Sequence, residues 1–298
     1  MSGTALVLGP HGRFASHVAL ALEAAGWTVR RFDRQRDRLP DAAMGADLIV
    51  NGWNPPYPDW AAQLPVLTDR LIEAGRACGA TILQPANVYV YGDGSPEVLT
   101  PQTPHRATNP LGRLRIAMEG HLRDSGLPVI LLRAGDFIDT EPSGNWFDRV
   151  IAKDAARGRF AYPGDADIPH AWAYLPDLAA AAVVLANSRG ALPGVCEILF
   201  PGHTLTGREL CAATARALGR PVTLRRMSLL PLHLARPFWP MARHLIEMSY
   251  LWRMPHRLVD DRLARLAPDL VQTPIDIAVA RALGQKVDPD QPVTQPAV

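Results

Sequence analysis

The sequence predicts an α/β fold, a doubly wound parallel sheet with a smaller, partly helical C-terminal substrate region. Three observations predict it. Strand-like and helix-like segments alternate from Thr4 to Asp136. The strand-like segments are short, near-continuous apolar runs, as in Leu6-Val7-Leu8 and Val129-Ile130-Leu131-Leu132, which suits strands buried on both faces. The stretch from Thr4 to Arg34 reads as strand, glycine turn, helix, strand.

That first unit carries the strongest chemical signal. Gly9, Gly12 and Ala15 give G-x-x-G-x-x-A directly after a strand and at the opening of a helix. Glycine lets the backbone turn sharply and approach a pyrophosphate, and the helix N-terminus offers unpaired N–H groups and partial positive charge. Asp33 closes the next strand, where an acidic side chain accepts hydrogen bonds from an adenosine ribose. A dinucleotide site is the reading this context supports.

The following elements are read in order. Gln35 to Ala46 is a compressed polar link. Asp47–Asn51 is a strand, ending in the loop Gly52-Trp53-Asn54-Pro55-Pro56. Ligands sit at such carboxyl ends in open α/β sheets, so Trp53 either stacks on a ligand or caps the sheet. Trp60 to Cys78 is a helix that Gly79 ends, and Thr81 to Leu83 is a strand running into Gln84–Gly92. Asn109 and Pro110 open a helix carrying Leu111, Leu114, Met118 and Leu122. After Asp136, Phe147–Ala156 is helical, Leu178–Ala186 is an Ala-rich helix, and Val195–Phe200 is a strand. Thr206 with Glu209 forms a capping box, Val222–Arg226 is a short strand, and Thr273 with Asp276 caps a last helix. Residues 1–140 form the dinucleotide-binding domain, with 173–200 returning to it. Residues 141–172 and 201–286 form the substrate-binding region, and 287–298 a disordered tail.

Composition narrows the class. The chain has 298 residues, 48% hydrophobic and 20% charged, with net charge +2, ordinary values for a globular protein. So small a net charge offers no long-range field for nucleic acid or a membrane. No run reaches the length of a membrane span, and the first strand begins too early to leave room for a signal peptide. A cytoplasmic protein binding a small-molecule substrate is expected, with neither nucleic acid nor membrane as partner. Cys78, Cys196 and Cys211 lie in apolar patterns and read as buried thiols. There is no H-E-x-x-H, C-x-x-C or G-x-S-x-G, and no metal site is expected.

The segments LVLGPHGRFASHVALALEAAGWTV, DLIVNGWNP, NVYVYGDG, NPLGRLRIAMEGHL, LLRAGDFID, YLPDLAAAAVVLA and TLTGRELCAATARALGRPV, in this order, resemble the extended short-chain dehydrogenase/reductase superfamily, of the NAD-dependent epimerase/dehydratase type. The resemblance covers nearly the whole chain. It implies a Rossmann-type domain for NAD or NADP, with Gly9, His11, Gly12, Arg13, Phe14, Asp33, Arg34, Asn51, Gly52, Trp53, Arg115 and Gly135 at the cofactor. Asp33 suits NAD, whereas Arg34, with Arg13 and Arg31, suits the 2′-phosphate of NADP, and the balance leans to NADP. The helices at 60–78 and 110–124 resemble the family's dimer-forming pair, which implies a homodimer.

The departures concern catalysis. The family uses a Ser or Thr and a Y-x-x-x-K pair. Here Asn87 stands at the Ser/Thr position, Leu111 at the Tyr and Arg115 at the Lys. Leucine transfers no proton, and arginine keeps the charge while its pKa lies too high to donate. Tyr89, at a position resembling that of a catalytic Glu in dehydratase members, or Tyr91 is the candidate substitute donor, with Arg115 to stabilise the phenolate and Asn87 to hold the reacting oxygen; the alternative is that both tyrosines pack at the sheet edge. On the substrate side, His170 replaces the Arg that binds phosphates in sugar-nucleotide epimerases, which argues against a nucleoside-diphosphate sugar. Asn54, Asp136, Asn145, Trp146, His170 and Trp172 form the expected substrate set. Three readings remain: an atypical oxidoreductase or epimerase for a small carbonyl or hydroxyl substrate, a non-catalytic NAD(P)-binding redox-sensing or regulatory protein, and a structural or assembly subunit that keeps the fold alone.

Overall fold

The computed structural model describes residues 3–285. At its centre is a six-stranded, all-parallel sheet. From edge to edge the strands are Val195–Leu199, Val129–Arg133, Thr81–Ala86, Leu48–Asn51, Thr4–Leu8 and Thr28–Arg31. The middle strands are buried throughout, which is why their sequences are apolar runs. The edge strand Thr28–Arg31 is half-exposed and ends in two arginines, a charged edge that resists pairing with another chain.

Helices cover both faces. Helix Arg13–Ala24 packs on Leu175–Ser188 on one side, where the alanines of the second helix allow close approach. Helices Trp60–Cys78 and Pro110–Asp124 pack together on the other. The chain runs from Thr4–Leu8 outward to Thr28–Arg31, then returns to the opposite side at Leu48–Asn51. The carboxyl ends of Thr4–Leu8 and Leu48–Asn51 therefore lead apart, making the crevice in which ligands bind in this architecture.

A three-stranded sheet stands beside this crevice. Asp136–Ile138 runs parallel to His170–Tyr174, which pairs antiparallel with His203–Leu205. Arg159–Tyr162 pairs with Thr223–Arg226 over a third cluster of buried apolar residues. A helical hairpin, Leu230–Ala235 and Pro240–Glu247, rises from this region. The three cysteines are free, and Cys196 and Cys211 are buried.

The link 35–46, helix-prone in sequence, holds a short helix, Leu39–Ala43. Other local expectations need correction. Phe147–Ala156 is a single wide turn over Phe147–Ile151 and a second turn at Ala155–Arg157. Thr206 and Glu209 do form the capping box, but Thr273 does not cap the last helix. Its hydroxyl and N–H donate to the carboxylate of Asp177, and Asp276 pairs with Arg216. Asn109 likewise spends its amide on Glu247 at 2.8 Å, and Glu247 also accepts from the Leu111 N–H at 2.7 Å. The opening of helix Pro110–Asp124 is thus capped from a distant helix. The expected tail at 287–298 lies outside the described residues.

Candidate active site

The crevice is built by glycines. Gly9 has φ +61, open to glycine at little cost, and a Cβ there would lie 2.9 Å from the Gly52 carbonyl oxygen. Gly52 donates its N–H to the Leu8 carbonyl at 2.8 Å, and a Cβ on it would meet that same oxygen at 2.4 Å. The two loops touch through bare backbone, and no side chain fills the mouth above them. Gly12 precedes helix Arg13–Ala24 in an extended conformation, with no side-chain cap on the helix N–H groups. Uncapped N–H groups at a helix start are the kind of backbone that can meet an anionic group.

A cleft of about 460 Å³ opens above it, lined by Gly9, His11, Gly12, Phe32, Arg34, Gly52, Trp53 and Asn54, with Gln63, Leu67 and Arg70 from helix Trp60–Cys78. Trp53 packs edge-on against Phe32, and Arg70 lies over the Trp53 ring at 5.5 Å. Two arginines and no carboxylate line this end. Asp33 accepts the Gln35 N–H at 2.9 Å and faces Arg36 at 3.5 Å, so its carboxylate serves its own turn.

Other residues of the expected cofactor set are committed elsewhere. Arg13 donates to the carbonyls of Ser143 and Gly144, both at 2.8 Å, and Arg31 pairs with Glu23. Arg13 and His17, whose Nε2 lies 2.6 Å from the Asp139 carboxylate, tie the first helix to the loop at 139–144. Phe14 is buried in the core beside the sheet. Asn51 is buried, donating to Gln84 at 2.7 Å and accepting the Trp53 N–H at 3.1 Å, so it shapes the loop. Gly135 faces Ala171, whose carbonyl oxygen would lie 2.1 Å from a Cβ.

Further along the carboxyl edge stand two phenols. The hydroxyls of Tyr89 and Tyr57 lie 2.6 Å apart. Both rings are half-buried, and both sit against Trp60. Asn87 holds the turn by accepting the Tyr89 N–H at 3.1 Å, which leaves its amide NH2 as its donor. Arg115 is buried, stacks over Trp60 at 4.0 Å and donates to Asn54 Oδ1 at 2.7 Å. Burial pushes both phenols above the usual tyrosine pKa. For Tyr89 the neighbouring Tyr57 and Asp136 add to the shift, and the Arg115 charge opposes it without overcoming it. Both are neutral, proton-bearing groups at physiological pH. Leu111, at the place of the family tyrosine, is buried in the apolar cluster around them.

The expected substrate residues divide. Asn54 lines the cleft, and Asp136 keeps about a quarter of its side chain exposed (23%). Asp136 accepts from or shares a proton with His170 Nε2 at 2.8 Å. His170 is 2% exposed and lies flat on Trp252, 4.5 Å away at 4°. His170 and Trp172 are thus buried, both packed against Trp252. Trp146 packs edge-on against Trp252. Asn145 is buried and works locally, accepting the Asp148 N–H and donating to Ser143. Behind His170, His256 is fully buried and donates Nδ1–H to the Met254 carbonyl at 2.8 Å, leaving its Nε2 without a partner among the described residues.

A buried charge network braces the strand ends below Asn87. His105, Glu119 and Glu197 come close enough to resemble a metal triad. The Arg133 guanidinium bridges the two carboxylates at 2.7 Å each and also donates to the Asn87 carbonyl, and Arg123 pairs with Glu197. Two guanidinium charges balance two carboxylates. Burial alone would raise the Glu197 carboxyl, but His105 and Arg133 outweigh it and hold it at about 2.

Sequence reasoning passes over Tyr57, Arg70, Asp139 and His256. Tyr57 alone had a usable signal, a polar aromatic in the N-P-P-Y-P-D-W loop at a strand's carboxyl end.

No protein-family model matches the chain, and no curated protein matches it. Solved structures do. MoeE5, solved in complex with UDP-glucose and NAD, superposes with a TM-score of 0.74 at 17% identity, covering 95% of this chain and 98% of that one. WbmH from Bordetella bronchiseptica, in complex with NAD+, gives 0.70 at 16% identity, with 95% and 98% covered. RMD from Pseudomonas aeruginosa, complexed with NADPH, gives 0.71 at 18%, again with 95% and 98% covered. The fold is thus the Rossmann-like α/β fold of these proteins over nearly its full length.

The back wall sets a pH dependence. Burial, with His170 beside it, pushes His256 down to about 3 from an ordinary value near 6.5. The unfolded chain takes up a proton there that the folded chain refuses. Stability is therefore full above pH 6.5 and falls toward pH 3, by at most about 1.4 kcal/mol per pH unit from this group. The contribution of Glu197 is lost only between about pH 4.5 and 2. Urea denaturation between pH 7 and 5 should show the His256 slope, and His256→Asn should flatten it.

Proposed function

We propose that this chain is an NADP-dependent oxidoreductase of the extended short-chain type that reduces a small carbonyl substrate, with a tyrosine pair in place of the usual relay. The observation that carries the reading is the Tyr57–Tyr89 hydroxyl pair at 2.6 Å, on the same sheet edge as a glycine cradle that side chains would fill. Neighbours of the same fold are named for NAD or NADPH in their complexes, which supports a nicotinamide dinucleotide here.

The residues fit that group. The bare backbone at Gly9, Gly12 and Gly52, with the open helix end, would hold the pyrophosphate. Phe32, Trp53 and Arg70 would enclose the adenine. Arg34 and Arg70, which line the cleft where no carboxylate does, favour a 2′-phosphate over bare ribose hydroxyls. When bound, the cofactor supplies a hydride to the substrate carbon.

The protein's part is to meet the negative charge that develops on the oxygen. One hydroxyl of the tyrosine pair donates to the other, so one O–H remains to donate outward. Tyr89 gives the proton, Tyr57 positions it, and the Asn87 NH2 supplies a second hydrogen bond to the oxygen. The raised pKa values keep the phenols protonated at neutral pH, and the phenolate left on Tyr89 when its proton passes to the product oxygen would be stabilised by the Tyr57 hydroxyl and the Arg115 charge. Because His170 is sealed in the back wall, a small apolar or aromatic carbonyl compound suits the site better than a nucleoside-diphosphate sugar. The burial of Leu111 in the tyrosine's usual place favours the second reading, a cofactor-binding sensor, and turnover decides between them.

Two variants test this. Tyr89→Phe should lower kcat for carbonyl reduction roughly 10²- to 10⁴-fold while leaving the Kd for NADPH unchanged. Unchanged turnover would exclude Tyr89 as the donor. Arg34→Ser should weaken NADPH binding roughly ten- to a hundredfold and spare NADH, as removal of a charge-assisted phosphate contact requires. Isothermal titration with each cofactor reads this directly.

A further inference from the structure

The hairpin beyond Thr223–Arg226 carries a surface that neither the fold nor the proposed chemistry uses. Helix Leu230–Ala235 has no buried residue, unlike each helix packed on the central sheet. Leu230 and Leu234 lie one turn apart on one face, 62% and 68% exposed. The N–H groups of Phe238 and Trp239 both donate to the Ala235 carbonyl, so these two rings follow directly on the helix end. Phe238 is 89% exposed and Trp239 45%. Four large apolar side chains held in water on one short hairpin are an interaction surface.

The charge around them identifies the partner. Between Leu210 and Ile246 the chain has six arginines and no aspartate or glutamate. Arg216 pairs with Asp276, and Arg220 donates to the Ala156 carbonyl. Arg225, Arg226, Arg236 and Arg243 are exposed, and no ion pair is formed by them among the described residues. The net charge of +2 conceals this segregation.

We infer that this hairpin docks the protein peripherally on an anionic lipid surface. Leu230, Leu234, Phe238 and Trp239 would enter the boundary between headgroups and acyl chains, and the four arginines would meet lipid phosphates. A second copy of the chain fits less well, because a two-fold contact would set these arginines against their own copies. Nucleic acid fits less well, because the most exposed group is the Phe238 ring. The root of the hairpin lies on the catalytic wall. His244 packs 6.3 Å from Tyr57, and Glu247 caps helix Pro110–Asp124. Docking would therefore bring the proposed active site close to the bilayer. The inference stands on the hairpin alone and does not need the reductase reading.

Flotation of the full-length protein with vesicles tests it without any turnover. The protein should float with phosphatidylcholine vesicles containing phosphatidylglycerol, float less as salt rises, and stay behind with phosphatidylcholine alone. Each of Arg225, Arg226, Arg236 and Arg243 changed to Gln should weaken partitioning roughly fivefold. The double change Leu234→Ser and Phe238→Ser should abolish it. These positions are exposed, so melting curves should be unchanged. Failure to float with anionic vesicles at low salt would overturn the proposal, as would equal flotation of wild type and variants. A dimer in sedimentation that the double variant dissolves would assign the face to a second copy instead.

Discussion

The backbone contact between the ends of two neighbouring strands governs this structure. The Gly52 N–H meets the Leu8 carbonyl at 2.8 Å, and Gly9 turns away through a left-handed conformation just above it. Neither position has room for a β-carbon. The approach of these loops sets the floor of the cleft, directs the open end of helix Arg13–Ala24 into it, and fixes where Trp53 stands. Everything proposed for the cofactor follows from that bare floor, because an anion can be met at close range only where no side chain intervenes.

The second constraint is burial at the carboxyl edge of the sheet. Arg115 is held by the Trp60 face and the Asn54 oxygen, close enough for its charge to reach both phenols. It does not outweigh the desolvation of those phenols, so the pair stays protonated. The site thus holds a buried arginine beside two neutral, hydrogen-bonded hydroxyls. The Arg133 network beneath Asn87 keeps the turn carrying Tyr89 in place, and the Asp136–His170 pair closes the opposite wall.

Much of this was legible in the residue order, and the reasons are local. The first strand, glycine turn and helix are specified within a few residues of one another, and so is the capping box at Thr206 and Glu209. The apolar runs of the sheet could be read because strands buried on both faces have no polar option. What could not be read depends on contacts between distant segments. Arg13 looks like a phosphate ligand, but the carbonyls that hold it lie 130 residues away. Tyr57 acquires a role only because the loop after the third strand folds against the turn after the fourth. His170 and Trp172 share one face of their strand, and Trp252, some 80 residues later in the chain, packs against both.

The central claim is that a nicotinamide cradle and a protonated tyrosine pair act together in reduction. The most direct measurement is single-turnover oxidation of bound NADPH on mixing with a panel of small aldehydes and ketones, followed across pH and in heavy water. The account predicts that at least one carbonyl class oxidises the cofactor. It further predicts a rate level from neutral pH to beyond the usual tyrosine pKa, and slowed in heavy water as phenol-proton donation requires. Tight NADPH binding with no oxidation by any carbonyl compound would contradict it. So would a rate that falls with an apparent pKa well below 10.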